Sequence, residues 1–120
     1  MSTAPVTLML WSSTTGDVIQ QKNQTRLENL LIAKKLEIKK IDGSDPDSKD
    51  RRDACFAVSG VRGNYPQCFL EHDNGTLVFV GVWDTIESLV ECNDIPEEVI
   101  AQNPDIKTFN TVFANAAKST

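Results

Sequence analysis

The hydrophobic pattern opens with a short unbroken apolar run, VTLMLW at 6–11. Its length suits a strand buried on both faces. It stops at SSTTGD, residues 12–17, a cluster of turn and cap formers. Thr15 or Asp17 is placed to cap a following helix, because their oxygens accept from the free amides of its first turn. From 18 to 36 no glycine or proline interrupts, and Leu27, Leu30, Leu31, Ala33 and Leu36 recur at helical spacing. The first turns are polar, so this helix should pack mainly through its second half. EIKKID at 37–42 is a strand with imperfect alternation, and GSDPDS after it is a loop. Strand, helix and strand in this order predict a βαβ unit with two parallel strands.

Residues 49–59 predict a second helix with Ala54, Cys55, Ala57 and Val58 as its apolar part. Asp47 or Ser48 can cap it and Gly60 can end it. After the loop VRGNYP come two strands, 67–72 (QCFLEH) and 76–81 (TLVFVG), joined by Asp73-Asn74-Gly75. Asn-Gly in so short a link predicts a hairpin, since both residues tolerate positive φ. A third helix is expected over 84–92, with Ile86, Leu89 and Val90 inward. Pro96 suits a helix first turn, and Pro104 ends or restarts one. Ile106, Phe109, Val112, Phe113, Ala116 and Ala117 then follow a helical period, which predicts an ordered C-terminal helix.

The division is a short tail at 1–5, a domain at 6–92, and a helical extension at 93–120 packed on that domain. The expected class is α/β: a four-stranded mixed sheet (βαβ-α-ββ-α) flanked by helices, with an extra C-terminal helix. The hairpin would run antiparallel to the first strand. Element order alone makes this arrangement thioredoxin-like.

Composition narrows the function classes. At 120 residues the chain is one domain with room for a core, and 40% hydrophobic with 24% charged residues is ordinary for a globular protein. Seventeen acidic against twelve basic residues leave a net charge of -5. That speaks against a nucleic-acid binder, which needs a basic face. No apolar run approaches a membrane span, and no basic residue precedes the short apolar run at the start, so neither a membrane anchor nor a signal peptide is expected. The expectation is a soluble, cytoplasmic domain. Cys55, Cys68 and Cys92 are an odd, scattered set without CxxC, and His72 is the only histidine. Neither a disulfide framework nor a metal site is expected.

Three stretches carry a family resemblance. LWSSTTGDVIQQKNQTRLENLL with the following IKKID resembles the opening of the SH3-domain-binding glutamic-acid-rich-like proteins. These are relatives of glutaredoxin in which a Ser/Gly-rich turn replaces the active-site cysteines. SGVRGNYPQCFL resembles the loop and third strand of glutaredoxins, where a cis proline precedes the strand. GVWD at 81–84 resembles the glycine and aspartate that open the helix after strand four. The match spans roughly residues 6–92. It implies a thioredoxin fold, a cis Tyr65–Pro66 bond, and a role in binding or regulation without catalysis. SH3 recognition in that family is attributed to a PxxP-type segment; Pro5, Pro46, Pro66, Pro96 and Pro104 are not spaced so, and a PxxP ligand motif is absent here.

Residue chemistry points the same way. Thiol–disulfide exchange needs a thiolate, and the place to make one in this fold is the helix start after strand one. Residues 12–19 read SSTTGDVI and hold no thiol. A serine hydroxyl without an adjacent base is too weak an acid to substitute. Cys68, two residues past Pro66, reads either as a peripheral redox-sensitive thiol or as a packed strand residue. Ser13, Thr14, Thr15 and Gly16 form a turn whose helix-start amides can hold an anion. By resemblance, Tyr65 and Pro66 would offer a backbone edge to an extended peptide, as glutaredoxins do to glutathione. Gly81 and Asp84 would stand at the second helix start, and Arg62 could pair with a carboxylate. Trp11 and Trp83 should meet at the same rim, where an exposed aromatic pair would mark a partner surface.

The resulting expectation is a non-catalytic, glutaredoxin-like adaptor or modulator that binds a protein or peptide near the cis-proline loop. The alternative is a glutathione-binding protein, or a glutathione-dependent thiol oxidoreductase using a non-standard thiol. A third expectation is a C-terminal helix that assembles copies through Ile106, Phe109, Val112 and Phe113.

Overall fold

The structure is a computed structural model describing residues 4–119. Four strands, β1 (Val6–Trp11), β2 (Ile38–Asp42), β3 (Gln67–Glu71) and β4 (Leu77–Val82), form one mixed sheet in the order β2-β1-β3-β4. β1 and β2 are parallel, whereas β3 runs antiparallel to both β1 and β4. Helices α1 (Val18–Ala33), α2 (Lys49–Ser59), α3 (Trp83–Cys92), α4 (Glu97–Gln102) and α5 (Phe109–Val112) flank it. This is the thioredoxin-like arrangement expected from element order.

β1 is buried on both faces because each face carries its own core. Met9 joins Leu27 and Leu31 of α1, Cys68, Leu70, Ile86 of α3, and Phe109, Phe113 and Ala116 of the C-terminal segment. On the opposite face Leu8 and Leu10 meet Ile41, Phe69, and Cys55 and Phe56 of α2. Strand alternation sends successive β1 side chains to these two cores, so the run reads as continuous rather than alternating.

Several expected boundaries move. α1 ends at Ala33 instead of continuing to Leu36, because Lys35 turns the chain with φ +58. Leu36 is thereby delivered into the core. The 73–75 link closes with Gly75 N–H donating to His72 C=O at 2.9 Å and His72 N–H to Thr76 C=O at 2.9 Å. Only Gly75 there has positive φ (+87), so Asn74 works instead through its side chain, which accepts from Thr76 N–H. A turn with one left-handed glycine is the three-residue hairpin loop. Ser48 stands at the start of α2 without a side-chain cap bond, while Asp45 caps the short 3₁₀ turn Pro46–Ser48 before it.

The tail departs most. The expected continuous C-terminal helix is the short α5 with a Thr108–Thr111 capping box, followed by an extended end. That end binds the sheet-side backbone: Ala117 N–H donates to Pro5 C=O at 2.8 Å, and Glu37 N–H to Ala117 C=O at 2.9 Å. An antiparallel bridge pairs Leu36 with Lys118. Phe109 and Phe113 stack at 4.3 Å between centroids and are both 2% exposed. Phe109 and Phe113 of the face expected for assembly are therefore consumed in the protein's own core, whereas Ile106 and Val112 stay partly exposed.

Candidate functional site at the sheet rim

Strand register defines one end of the sheet. Leu10 of β1 lies opposite Gln67 of β3, which lies opposite Val82 of β4, and Trp11 lies opposite Asp42 of β2. The segments just beyond that row therefore gather at one rim: 12–17 after β1, 60–66 before β3, and Trp83 with Asp84 after β4. Trp11 and Trp83 both pack against the core cluster that contains Met9, each partly exposed. Lys40 Nζ sits 4.5 Å from the Trp11 ring centroid, covering that indole.

The 12–17 turn is held by residues that sequence reasoning did not single out. Ser12 N–H donates to Gln24 Oε1 at 2.8 Å, and Gln24 Nε2 donates back to Ser12 C=O at 3.1 Å. Ser13 N–H donates to Asp42 Oδ1 at 3.1 Å, and that same oxygen accepts from the Ser44 hydroxyl at 2.6 Å and the Ser44 amide at 3.0 Å. Burial pushes Asp42 up, but the hydrogen bonds from Ser13 and Ser44 prevail and hold its carboxyl at about 2, against an ordinary 3.8. Asp42 is thus a fixed anion that organises two loops and a poor proton acceptor near neutrality. A polar residue on a helix that otherwise packs by leucines, as Gln24 is, was the available signal for its role.

The α1 start is already occupied. Asp17 Oδ1 accepts from Ile19 N–H at 2.9 Å and Gln20 N–H at 3.1 Å. Of the two expected caps, Asp17 serves. The amides expected to hold an anion are thereby taken by the chain's own carboxylate, so the Ser13, Thr14, Thr15, Gly16 turn does not present a vacant anion cradle of that kind. Thr15 instead donates to Gln20 Oε1 at 2.9 Å, and Gln20 Nε2 reaches Gly63 C=O at 3.3 Å. Gln20 thereby ties this turn to the loop before Pro66.

That loop is anchored from beneath. Gln67 is fully buried, and its Nε2 donates to Val61 C=O at 2.8 Å and Asn64 C=O at 2.9 Å. Its Oε1 has no partner among the described residues. The Tyr65–Pro66 bond is cis. The Tyr65 ring leans over the end of β2, where a Cβ on Gly43 would lie 2.6 Å from its hydroxyl, so any larger residue there must push the ring aside. Burial pushes the phenol pKa up, with Arg52 and Asp42 acting in opposite senses. The backbone of Tyr65 makes no hydrogen bond to other described residues.

The remaining expected residues fall into place unevenly. Gly81 lies opposite Cys68, and a Cβ there would stand 2.6 Å from Thr85 Cβ, so glycine lets α3 start tight against β4. Asp84 is exposed in the first turn of α3, but it is not the N-cap; Val82 holds that position without a side-chain bond. Arg62 lies 5.2 Å from the Phe56 ring centroid, with its guanidinium 3.9 Å from Asp53 Oδ1. It belongs to the α2 flank and remains largely exposed. Cys68 is fully buried beside Met9, and burial pushes its thiol up to about 12. Of its two readings, packing is the one this placement favours.

No protein-family model matches the chain, and no curated protein matches it. Among the described residues, no helix is long and apolar enough to cross a membrane.

Proposed function

We propose that this protein is a non-catalytic, glutaredoxin-like binding module of the SH3-domain-binding glutamic-acid-rich-like kind. It acts as a small cytoplasmic adaptor or modulator that takes an extended protein or peptide segment at the rim. One observation carries the reading: the backbone of Tyr65 makes no hydrogen bond to other described residues, and its loop is tied through Gly63 and Gln20 to the first turn of α1, where residues 12–17 hold no sulfur. An extended chain can add its own N–H and C=O to such an edge. Cys55 and Cys68 are buried and Cys92 closes α3, so no thiol stands where the helix dipole would ionise it. The Asp17 cap disfavours the glutathione alternative, because an anionic ligand would meet a carboxylate at that helix start.

The test has two arms. In a glutathione-coupled disulfide-reduction assay the protein should show no turnover, and replacing each cysteine by serine should change nothing. Amide shifts on titration with extended peptides should cluster at 12–17, 63–66 and 83–84. Cysteine-dependent turnover, or peptide shifts confined to other surfaces, would overturn the reading.

A further inference from the structure

Between α3 and α5 the chain leaves its own core and returns. Asn93, just past the end of α3, accepts from Asn110 N–H through Oδ1 at 3.1 Å, which staples the two ends of this excursion together. Beyond the staple Thr108, Phe109 and Phe113 are buried. Ala117 N–H then donates to Pro5 C=O, and Glu37 N–H to Ala117 C=O, so the returning end is fixed as well.

The span between the two ends is held differently. From Pro96 to Lys107 no residue is buried, and only Ile100 and Ile106 are even half-buried. Its hydrogen bonds start and finish inside it. Val99 and Ile100 N–H donate to Pro96 C=O, Asn103 N–H to Ile100 C=O, Ile106 N–H to Asn103 C=O, and Asn103 Nδ2 to Val99 C=O. Glu97, Glu98, Asp105 and Lys107 enter no ion pair among the described residues. α4, inside this span, has six residues and no side-chain cap. A helix alone in water needs roughly 12–15 residues to hold itself, so α4 depends on what Ile100 touches. The packing there is open: a cavity of about 380 Å³ is lined by Ile100 and Ala101 of the span and by Asn93, Thr108 and Thr111 of the fixed ends.

We propose that residues 96–107 are a strap that opens as a unit while the rest of the fold stays closed. Few buried apolar contacts, with backbone hydrogen bonds lying in solvent, mark a segment of low local stability. The hinges fall where the anchoring stops and resumes, at 95–96 and 107–108. Opening withdraws Ile100 and Ala101 from the cavity and bares Asn93, Thr108 and Thr111. The strap leaves from the far end of α3, roughly 15 Å of helix from the rim, so its opening leaves the rim untouched.

Native-state hydrogen exchange on the full chain tests this. The amides of Val99, Ile100, Asn103 and Ile106 should share one protection factor, on the order of 100-fold or more below those of Val112 and Phe113. A glutamate-specific protease should cut the native protein first after Glu97 or Glu98, although Glu87 and Glu91 on α3 are exposed too. The two pieces should stay together until denatured, held by Phe109 and Phe113. Ile100→Ser should lower strap protection further and leave the thermal midpoint near that of wild type. Strap amides protected as strongly as Val112 and Phe113 overturn the proposal, because strap and core would then open together. Four unequal protection factors overturn it too, since the strap would not move as a unit. A first cut after Glu87 or Glu91, pieces that part on cutting, or an Ile100→Ser midpoint as low as that of Phe113→Ala also overturn it.

Discussion

Gln24 and Ser12 close a two-way hydrogen bond, side-chain amide to backbone amide, in which both partners are buried. The pair fixes the turn after β1 to the body of α1, independently of the helix cap.

Removing Gln24 should therefore cost stability and order together. Gln24→Leu keeps the volume but leaves a buried N–H and C=O without partners, each worth about 1–3 kcal/mol. Denaturant unfolding should register a loss of about 2 kcal/mol or more for the two together, and amides at 12–16 should exchange faster. Unchanged exchange in the turn would mean the pair does not hold it.

Asp42 sets an acid-dependent component of stability. Its folded value of about 2 lies below the ordinary 3.8, so the unfolded chain binds the proton first as pH falls. The stabilisation is complete above about pH 5 and is lost progressively on acidification toward about pH 2. Asp42→Asn should be less stable than wild type near neutrality, and the gap should close by about pH 2. A gap independent of pH would assign the loss to packing.

The thiols should separate by burial. Cys55 is pushed up to about 11, by burial first, and Cys68 to about 12. Cys92 is partly exposed. Near neutral pH a thiol reagent should label Cys92 in the native protein and all three in denaturant. Native labelling of Cys68 at the rate of a free thiol would revive the redox-sensitive reading.

The C-terminal segment should behave as part of the fold. Phe113→Ala empties a fully enclosed site and should cost about 3–5 kcal/mol. Gly81→Ala, which forces its methyl into Thr85, should cost about 1–3 kcal/mol. Thermal unfolding checks both. A Phe113→Ala protein as stable as wild type would mark the tail as an appendage after all.

The strands and helices were legible because their signals are local. VTLMLW announced a doubly buried strand, Thr15 or Asp17 a cap, and Asn74-Gly75 a hairpin. The site was half legible: the thiol-free turn and the Tyr65–Pro66 loop could be read off, but Gln24, Asp42 and Gln67 could not. Gln24 and Asp42 reach partners 12 residues or more away (Ser12 and Ser13), though Asp42 also holds nearby Ser44, and Gln67 takes the backbone carbonyls of Val61 and Asn64, which any sequence carries.

By itself, then, the sequence determined the order of elements as far as α3, the two-sided burial of β1 and the absence of sulfur at the α1 start. These follow from which residue types stand at which spacing. Only the tertiary structure decided that the tail folds back through Phe109 and Phe113, and that Gln24, Asp42 and Gln67 hold the rim loops. Each depends on which surfaces meet in space, and a repeat of apolar positions is the same whether its face is covered by its own chain or by another.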